Sequence, residues 1–445
     1  MTFFDFWGIF ISTNVKRGKS MKNGEIKIIY DTGYVDNDPT VHPLKEIPLG
    51  DVENRSQIIK KYMENCSAPL FKEPTGAMKY PYIVPGGSYM DLWDWDSFFV
   101  SCAAPDKSIP YAKGSVMNFL DGIIETTGRP PKKISPDGHR DTYSFPYPLQ
   151  AQYAYIVAKR VGDFDWIKPY WNNLKRMRKW FDDKTKSYRG YYLWMSMYGN
   201  GIDNNPAVYG RRNATSAGVD LASWHYRDIM AMYQLAKLFE PAVAADYLKQ
   251  AEELKAQIQM EYWDIIDKSF YNIDCSEDYA EKTLQEITWH TFLKFRNIST
   301  VFPLWAGIAS EEQAKCIRDA LMNDEEFLSV AGVRSHSKID PIYNNTLTVD
   351  PSNWQGPVWG LSSYLAAYGL ARYGYKEEAL EICRRMDNTF ANDILTNGCV
   401  HEYYHGDSGQ PLFRPHFISW NMLARCVEDD LIKGNDCTTY ELLEI

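Results

Sequence analysis

Apolar side chains recur at three- and four-residue steps over most of the chain after about residue 50. The segment SVMNFLDGIIETTG shows this spacing and stops at Gly128, and VDLASWHYRDIMAMYQLAKLF and SEEQAKCIRDALMN repeat it. Such spacing places apolar residues on one face of a helix, whereas strict alternation is typical of a half-buried strand. Runs of alternating β-branched residues are scarce. The pattern therefore predicts a mostly helical protein.

Two kinds of predicted helix alternate along the chain. WQGPVWGLSSYLAAYGL is apolar and rich in small residues, and the charged, amphipathic KEEALEICRRMDN follows it. An inner ring of buried helices wrapped by an outer ring of solvated helices gives this alternation. We therefore predict an all-α fold, an (α/α)6 barrel with long functional loops at one end. It forms one domain over residues 46–435, between an N-terminal extension (1–45) and a C-terminal tail (436–445).

The first residues raise the question of a targeting segment. MTFFDFWGIFIS is apolar, but Asp5 interrupts it and it is too short to span a bilayer. A basic cluster follows this stretch, whereas a signal peptide has its basic residues first. Met21 begins a more ordinary N-terminal sequence. The alternative that residues 1–20 are a misassigned start therefore stays open. We predict a cytoplasmic protein.

Net charge and cysteine spacing disfavour several classes of partner and binding site. The formal net charge is −10, which disfavours nucleic acid and anionic membrane surfaces. The eight cysteines stand apart without a Cys-x-x-Cys pair, so the spacing predicts neither a zinc site nor a disulfide framework. No cofactor is expected. Aromatic residues make up 15% of the chain, which suits a large core and also the stacking of rings on sugar faces.

Two carboxylates stand out in the long loops. Asp203 lies in GNGIDNNP and Glu402 in CVHEYYHGDSG. Hydrolysis of a glycoside needs one carboxylic acid to protonate the leaving oxygen and one carboxylate to activate water or attack the sugar. The alternatives are an Asx turn at Asp203 and an ion pair of Glu402 with His401, His405 or Arg414.

A third acidic segment is LWDWDSFF, in which Asp94 and Asp96 are two residues apart. If Asp96 caps the helix that follows, its carboxylate faces the loop end of the barrel. A carboxylate can accept hydrogen bonds from adjacent hydroxyls while an indole covers the sugar ring, so Trp95 and Asp96 are candidates for a sugar clamp. Capping alone is the alternative.

A metal site among the loop histidines is disfavoured. His401, Glu402 and His405 read His-Glu-x-x-x-His, one residue longer than the zinc-binding His-Glu-x-x-His motif. The turn-forming segment Gly-Asp-Ser-Gly follows at once and argues against a zinc-binding helix. We predict no metal ligands.

Several blocks together resemble a known family. PGGSYMDLWDWDSFF is similar to the trehalase-type signature, and GIDNNP, VDLASW, FPLWAGIAS, NWQGPVWGLSSYLAAYGL and HEYYHGDSGQP resemble blocks of glycoside hydrolase family 63. By size the chain looks most like the compact bacterial mannosylglycerate and glucosylglycerate hydrolases. The resemblance implies an (α/α)6 barrel and hydrolysis with inversion at the anomeric carbon.

The resemblance also implies roles for residues of this chain. Asp203 would be the general acid and Glu402 the general base. Trp95 and Asp96 would hold the sugar. The full set of predicted substrate-binding residues is Tyr89, Trp93, Trp95, Asp96, Gly201, Arg211, Arg212, Trp354, Gln355, Gly356, Trp359, Tyr403 and Trp420.

The departures from the family pattern fall where the leaving group would sit. Gln355 and Ser363 stand where relatives often have Arg and Asn. Arg211 and Arg212 follow Asn-Pro-Ala where relatives read Ser-Pro-Arg, and they could bind a carboxylate such as glycerate, or be solvated or paired with nearby acids. We expect an exo-acting α-glycoside hydrolase for a small glucoside or mannoside. The alternatives are α,α-trehalase, or a sugar 2-epimerase that would use His336 or His401.

Overall fold

Helices dominate the computed structural model, which describes residues 55–276 except 140 and 142, residues 291–346 and residues 352–445. The predicted N-terminal extension, with its alternative start, lies outside these residues. Within them the α-helices are α1 (Arg55–Cys66), α2 (Asp94–Ala103), α3 (Ile109–Asp121), α4 (Gln150–Val161), α5 (Trp171–Lys184), α6 (Val219–Phe239), α7 (Ala244–Glu261), α8 (Phe302–Trp305), α9 (Glu311–Leu321), α10 (Gly360–Arg372), α11 (Lys376–Asn397) and α12 (Val427–Lys433).

Six mostly buried elements form an inner ring. They are α2, α4, α6, α8, α10 and the 3-10 helix Ser419–Arg425. Each packs against the next, and Ser419–Arg425 packs against α2, which closes the ring. The amphipathic helices α3, α5, α7, α9, α11 and α12 follow these inner elements along the chain. This is the alternation that the apolar pattern predicts, and the helix-rich toroid is confirmed.

Local hydrogen bonds define where an outer helix begins, as α9 shows. At α9 the side chain of Ser310 accepts a hydrogen bond from the Gln313 backbone, and the Gln313 side chain accepts one in return. This capping box satisfies two donors that a helix start otherwise leaves unpaired. The buried residues Ala314, Ile317 and Leu321 then recur at helical spacing. The helix therefore turns one face inward and leaves the other in water.

Aromatic rings fill the centre of the barrel. Trp224 of α6 and Trp305 of α8 meet edge to face with ring centroids 5.0 Å apart, and Phe99 of α2 lies 6.0 Å from Trp224. Such pairs contribute about 0.5–1.5 kcal/mol beyond the burial of their area. Much of the aromatic content is therefore core, contributed by three different inner helices.

Short antiparallel strands lie in the loops between the helices. They are β1 (Phe71–Lys72), β2 (Tyr82–Ile83), β3 (Leu92–Trp93), β4 (Lys133–Ile134), β5 (Ser216–Ala217), β6 (Trp263–Asp264), β7 (Ser269–Phe270), β8 (Asn272–Asp274), β9 (Thr291–Leu293), β10 (Leu328–Ser329), β11 (Gly332–Val333), β12 (His401–Tyr404) and β13 (Pro411–Pro415). Most pair in twos, and β8 lies between β5 and β9. In the β12–β13 hairpin Tyr403 is opposite Phe413, and a bulge separates Tyr403 from Tyr404.

The loops that lead into the inner helices gather at one end of the barrel. Trp93 is the N-cap of α2, Gly218 of α6 and Trp359 of α10. Candidate residues from distant parts of the sequence therefore share this end. Among the described helices, none is both long and apolar enough for a membrane span.

Candidate active site

Asp203 lies in a tight turn before α6. The backbone N–H of Asn205 donates to the carbonyl of Ile202 at 2.8 Å, so Asp203 and Asn204 are the central residues of the turn. The Asn205 side chain accepts from the Ala207 backbone at 3.0 Å. The asparagines thus fix the backbone, and the Asp203 side chain is left half-buried at the loop end.

Asn204 ties this turn to the segment before α10. Its Oδ1 accepts from the Trp354 backbone N–H at 2.7 Å, and its Nδ2 donates to Asn353 Oδ1 at 3.0 Å. Gln355 Nε2 donates to the Asn204 carbonyl at 2.9 Å. These bonds join segments about 150 residues apart in sequence. The position of Asp203 is therefore set by side chains from another part of the ring.

Gly201 brings the same loop against a tryptophan. Its φ is +71°, and a Cβ added there would lie 2.4 Å from a ring carbon of Trp95 and 2.7 Å from the hydroxyl of Tyr147. Backbone conformation and space both require glycine. Gly201 thus serves the predicted site through its backbone.

Glu402 lies on β12 and is buried. The neighbouring Tyr404 exchanges backbone hydrogen bonds with Val358 at 2.8 and 2.9 Å, which ties β12 to the segment before α10. Arg414 Nε lies 3.5 Å from Glu402 Oε2. The ion pair with Arg414 that the sequence left open is therefore present. It is compatible with a general base, because a nearby cation favours the ionised carboxylate.

Asp393 of α11 binds His401 and Tyr404, on either side of Glu402 along β12. Its Oδ2 is 2.8 Å from His401 Nδ1 and accepts from the His401 backbone at 3.1 Å and from the Tyr404 hydroxyl at 2.6 Å. Its Oδ1 accepts from Asn397 at 2.8 Å. One buried carboxylate on an outer helix thus fixes the strand that carries Glu402.

The start of α2 differs from the expected cap. The helix begins at Asp94, its N-cap is Trp93, and no side chain caps it, so a capping role for Asp96 is wrong. Asp94 instead bonds the Trp95 backbone at 2.7 Å and pairs with Lys132 at 3.0 Å. Because Asp94 already occupies the first helical position, Asp96 falls inside the first turn and points to another element.

Asp96 accepts a hydrogen bond of 2.6 Å from the hydroxyl of Ser419, on the last inner element of the ring. Burial raises the pKa of Asp96 to about 7, while Ser419 and Lys132 oppose the shift. A carboxyl with this pKa holds its proton for part of the time near neutrality. Asp96 is therefore a buried, proton-exchanging group at the loop end.

Tyr89 connects the three carboxylates. Burial raises the pKa of its phenol well above the ordinary value, and the charges of Glu402, Asp203 and Asp96 raise it further, Glu402 most. Arg414 opposes the shift, and its guanidinium lies over the Tyr89 ring at 4.5 Å. Electrostatic effects of this kind require proximity. The charges of carboxylates from three segments of the chain therefore all act on the pKa of Tyr89.

Tryptophans form the floor beneath these carboxylates. Trp95 meets Trp420 edge to face at 5.2 Å and lies 6.3 Å from Trp354, which stacks on Trp359 at 3.9 Å with an angle of 7°. Trp359 in turn lies 4.6 Å from Tyr403. Trp359 is 0% exposed and Tyr403 1%. Neighbouring side chains cover both rings in this structure, and their role as sugar contacts stays a prediction.

The remaining predicted residues divide between the site and the scaffold. The half-buried Trp93 lies under Lys133, whose Nζ is 4.9 Å from its ring. Gly356 is buried, and its backbone N–H donates to Ser335 at 3.2 Å. Arg211 donates to Asp274 at 2.7 Å, and Arg212 is exposed. These are the paired and solvated arrangements that the sequence left open for the two arginines.

The loop histidines have partners that do not involve a sugar. His401 binds Asp393, and the ring of His405 accepts from the backbone of Asp407 at 3.1 Å, in a turn that follows a strand. His336 is fully buried, with Nε2 3.0 Å from Asp340 Oδ2, and His336 helps to lower the pKa of Asp340 to about 2. Both histidines of the epimerase alternative thus serve structural contacts.

Several site residues were missed from the sequence. Lys132 is buried, pairs with Asp94 and lies 4.2 Å from the ring of Tyr147, which stacks on Trp95 at 5.3 Å. Ser419 and Asp393 were missed as well. Lys132 and Tyr147 lie in RPPKKISPDGHRDTYSFPYP, whose aromatic and proline content is a signal that could have found them. Ser419 and Asp393 carry no local signal, because their partners are distant in sequence.

Comparison with known proteins identifies the family and the fold. The model of the mannosylglycerate hydrolase MGH1-like glycoside hydrolase domain matches residues 89–420. The cytosolic neutral trehalase of Kluyveromyces lactis is 29% identical to this chain in an alignment of length 426. The match covers 77% of this chain and 53% of the trehalase. The chain thus spans about half the length of that relative.

Two solved structures share the fold. One is the glycoside hydrolase family 63 mannosylglycerate hydrolase of Thermus thermophilus in complex with Tris and D-glycerate, with a TM-score of 0.62, 16% identity, and coverage of 84% of this chain and 99% of the other. The other is the neutral trehalase Nth1 of Saccharomyces cerevisiae, with a TM-score of 0.62, 17% identity, and coverage of 88% and 82%. Both confirm the (α/α)6 barrel. The chain belongs to the mannosylglycerate hydrolase MGH1-like family of glycoside hydrolase domains.

Proposed function

We propose that the protein is an inverting, exo-acting α-glycoside hydrolase for a small glucoside or mannoside. The observation that carries the proposal is that Arg414 lies 3.5 Å from Glu402 and over the ring of Tyr89, whose pKa Asp203 and Asp96 also raise. Acids on facing loops supply the proton donor and the base that glycoside hydrolysis needs, and indoles suit the apolar face of a pyranose. Membership of a glycoside hydrolase family supports the same reaction.

In the proposed reaction Asp203 donates its proton to the glycosidic oxygen as the bond to the anomeric carbon breaks. Glu402 takes a proton from a water molecule, and the water oxygen bonds to the anomeric carbon from the opposite face. The products are a free sugar of inverted configuration and the protonated leaving group. A proton then returns from Glu402 to Asp203 through solvent. Asp96 would hold the sugar hydroxyls.

The identity of the leaving group is a more specific part of the proposal. The Thermus relative is named as a mannosylglycerate hydrolase and was solved with D-glycerate, which supports a small carboxylate-bearing glycoside. Trehalase relatives support a disaccharide instead. In this chain Arg211 already forms an ion pair with Asp274. Arg414 lies beside Glu402. The exposed Arg212, in the loop that carries Asp203, is the candidate cation for a carboxylate in the leaving group.

A cytoplasmic location remains a proposal. One trehalase relative is named as cytosolic and another, from Pseudomonas aeruginosa, as periplasmic.

Substitution of the two acids tests the proposal. Asp203→Asn and Glu402→Gln preserve shape and remove the transferable proton or the base, so each is expected to lower kcat at least about 100-fold. Hydrolysis of glucosylglycerate, mannosylglycerate and trehalose would be measured for each variant.

The exposed loop residues Asp324 and Glu325 give matched controls. Asp324→Asn and Glu325→Gln carry the same chemical change away from the site and are expected to retain full activity. Near wild-type hydrolysis by a folded Asp203→Asn or Glu402→Gln variant would remove that residue from the mechanism.

A further inference from the structure

A cluster of metal-binding side chains lies at the other end of the barrel. Ser419 contacts Asp96 at the loop end, and the 3-10 helix then runs through the ring to Arg425, which bonds the carbonyl of Ala103 at the last residue of α2. Cys426 follows directly. This cluster of Cys426, Asp430 and Cys437, the basal cluster, is therefore separate from the predicted active site.

The three side chains are close enough to share one ion. Their ligand atoms all lie within 4.8 Å of one another, and the two Sγ atoms are 3.4 Å apart. Cys426 is the N-cap of α12, and Asp430 lies in the first turn of that helix. Cys437 approaches from the C-terminal segment. Cys426 and Asp430 are half-buried, which leaves a path from solvent.

The spacing of the two sulfur atoms is compatible with a shared metal ion. Two thiolates on a tetrahedral zinc ion, with bonds of about 2.3 Å, lie about 3.8 Å apart. A disulfide requires about 2.05 Å. At 3.4 Å the two sulfur atoms are unbonded and lie near the metal geometry. The carboxylate beside the thiols adds a third ligand.

Neighbouring groups orient the carboxylate. The Tyr368 hydroxyl of α10 donates to Asp430 Oδ2 at 2.7 Å and lies 3.2 Å from Cys437 Sγ. The Cys437 backbone N–H donates to the same oxygen at 3.3 Å. Hydrogen bonds to a ligating carboxylate are the supporting contacts expected of a metal site. Tyr368 or a water molecule would complete a tetrahedron.

We propose that the basal cluster binds one thiophilic divalent cation, Zn²⁺ in the cell, and fastens the C-terminal segment to the barrel. The segment is already part of the core: Thr438 and Leu442 are fully buried, and Arg227 donates to the carbonyl of Thr438 at 2.5 Å. Thiolates select zinc among the common divalent ions. The ion would link α12 with the segment that follows it and so stabilise the closed ring. This role is independent of hydrolysis.

Cobalt titration of the reduced, metal-free full-length protein tests the proposal, because Co²⁺ bound to thiolates absorbs visible and near-ultraviolet light. We expect one equivalent of Co²⁺ to produce thiolate-to-cobalt absorption that Zn²⁺ abolishes by displacement. Cys426→Ser and Cys437→Ser should each weaken binding at least tenfold, and Asp430→Asn should weaken it with both thiolates retained. Cys316→Ser, a half-buried thiol on α9, is the matched control and should bind like the wild type.

Thermal unfolding of the wild-type protein gives a second readout that does not depend on the variants. Zn²⁺ should raise the midpoint relative to the same sample with chelator, since an ion that binds only the folded state stabilises it. Tyr368→Phe should retain the cobalt spectrum. Absence of cobalt–thiolate absorption in the wild type, or equal absorption in both cysteine variants, would overturn the proposal. A mass lower by two hydrogens without reductant would replace it with a disulfide.

Discussion

At the scale of single residues, the loop geometry depends on positions that have no reactive group. Gly201 is such a position, because Trp95 and Tyr147 fill the space where a side chain would go. Both rings are buried and stacked on each other, so neither can move aside at low cost. Asp203 lies two residues further along the same loop, so this contact helps to fix the backbone that carries it.

Gly201→Ala is therefore expected to lower kcat/KM at least tenfold and to lower the thermal midpoint. The matched control is Gly210→Ala, in the same loop, with φ +76° and nothing within 4 Å of an added Cβ. Both variants carry backbone strain of roughly 1–2 kcal/mol, but only the first displaces Trp95. Equal activity losses in the two variants would contradict the packing explanation.

A second residue-scale prediction concerns the stability contributed by Asp96. Its folded pKa is about 7 because of burial, above its ordinary value of 3.8. The folded state thus binds more protons than the unfolded state between these values, and its stability falls as pH rises from about 4 to 7. The loss is roughly 4 kcal/mol at most, since each pKa unit corresponds to about 1.4 kcal/mol.

Asp96→Asn removes this titration and retains the oxygen that accepts from Ser419. Chemical unfolding of both proteins at intervals from pH 4 to 8 measures the difference. We expect the free energy of unfolding of the wild type to decline with pH relative to that of the variant. Parallel profiles would show that Asp96 has an ordinary pKa in the folded protein.

At the scale of elements, an outer helix holds the strand that carries the proposed base. Asp393 of α11 holds His401 and Tyr404, which flank Glu402 on β12. Asp393→Asn removes the charge and weakens three of these bonds, so we expect kcat to fall about tenfold or more with little change in KM. Glu377→Gln, at an exposed position of the same helix, should leave both unchanged. Proportional losses of activity and folded protein would mean that Asp393 is structural only.

The elements also show which parts of the fold were predictable. Apolar spacing predicted α6, α9 and α10, since burial against the barrel sets that spacing. The start of α2 was misjudged, because Trp93 lacks the small polar side chain that usually marks an N-cap. Asp393 was missed because a buried acid on an amphipathic helix has the same sequence pattern as a solvated one. Its role depends on a strand that follows it in sequence but packs back onto the helix.

At the scale of the whole molecule, ring closure creates the candidate site. Asp96 and Ser419 are 323 residues apart in sequence and meet because the last inner element packs on the first inner helix. The alternation of apolar and charged helices predicted the ring, but it did not specify which loop residues face each other. The resemblance to family 63 supplied the pairing of Asp203 with Glu402. Lys132 and Ser419 emerged from the fold alone.

The most direct test of inverting hydrolysis is proton NMR of the sugar at the moment of its release from an α-linked substrate. The panel would contain glucosylglycerate, mannosylglycerate, trehalose, kojibiose, nigerose and an aryl α-glucoside. Acid and base on opposite faces of the sugar predict that β-sugar appears first and then mutarotates. Release of α-sugar as the first product would contradict the roles proposed for Asp203 and Glu402.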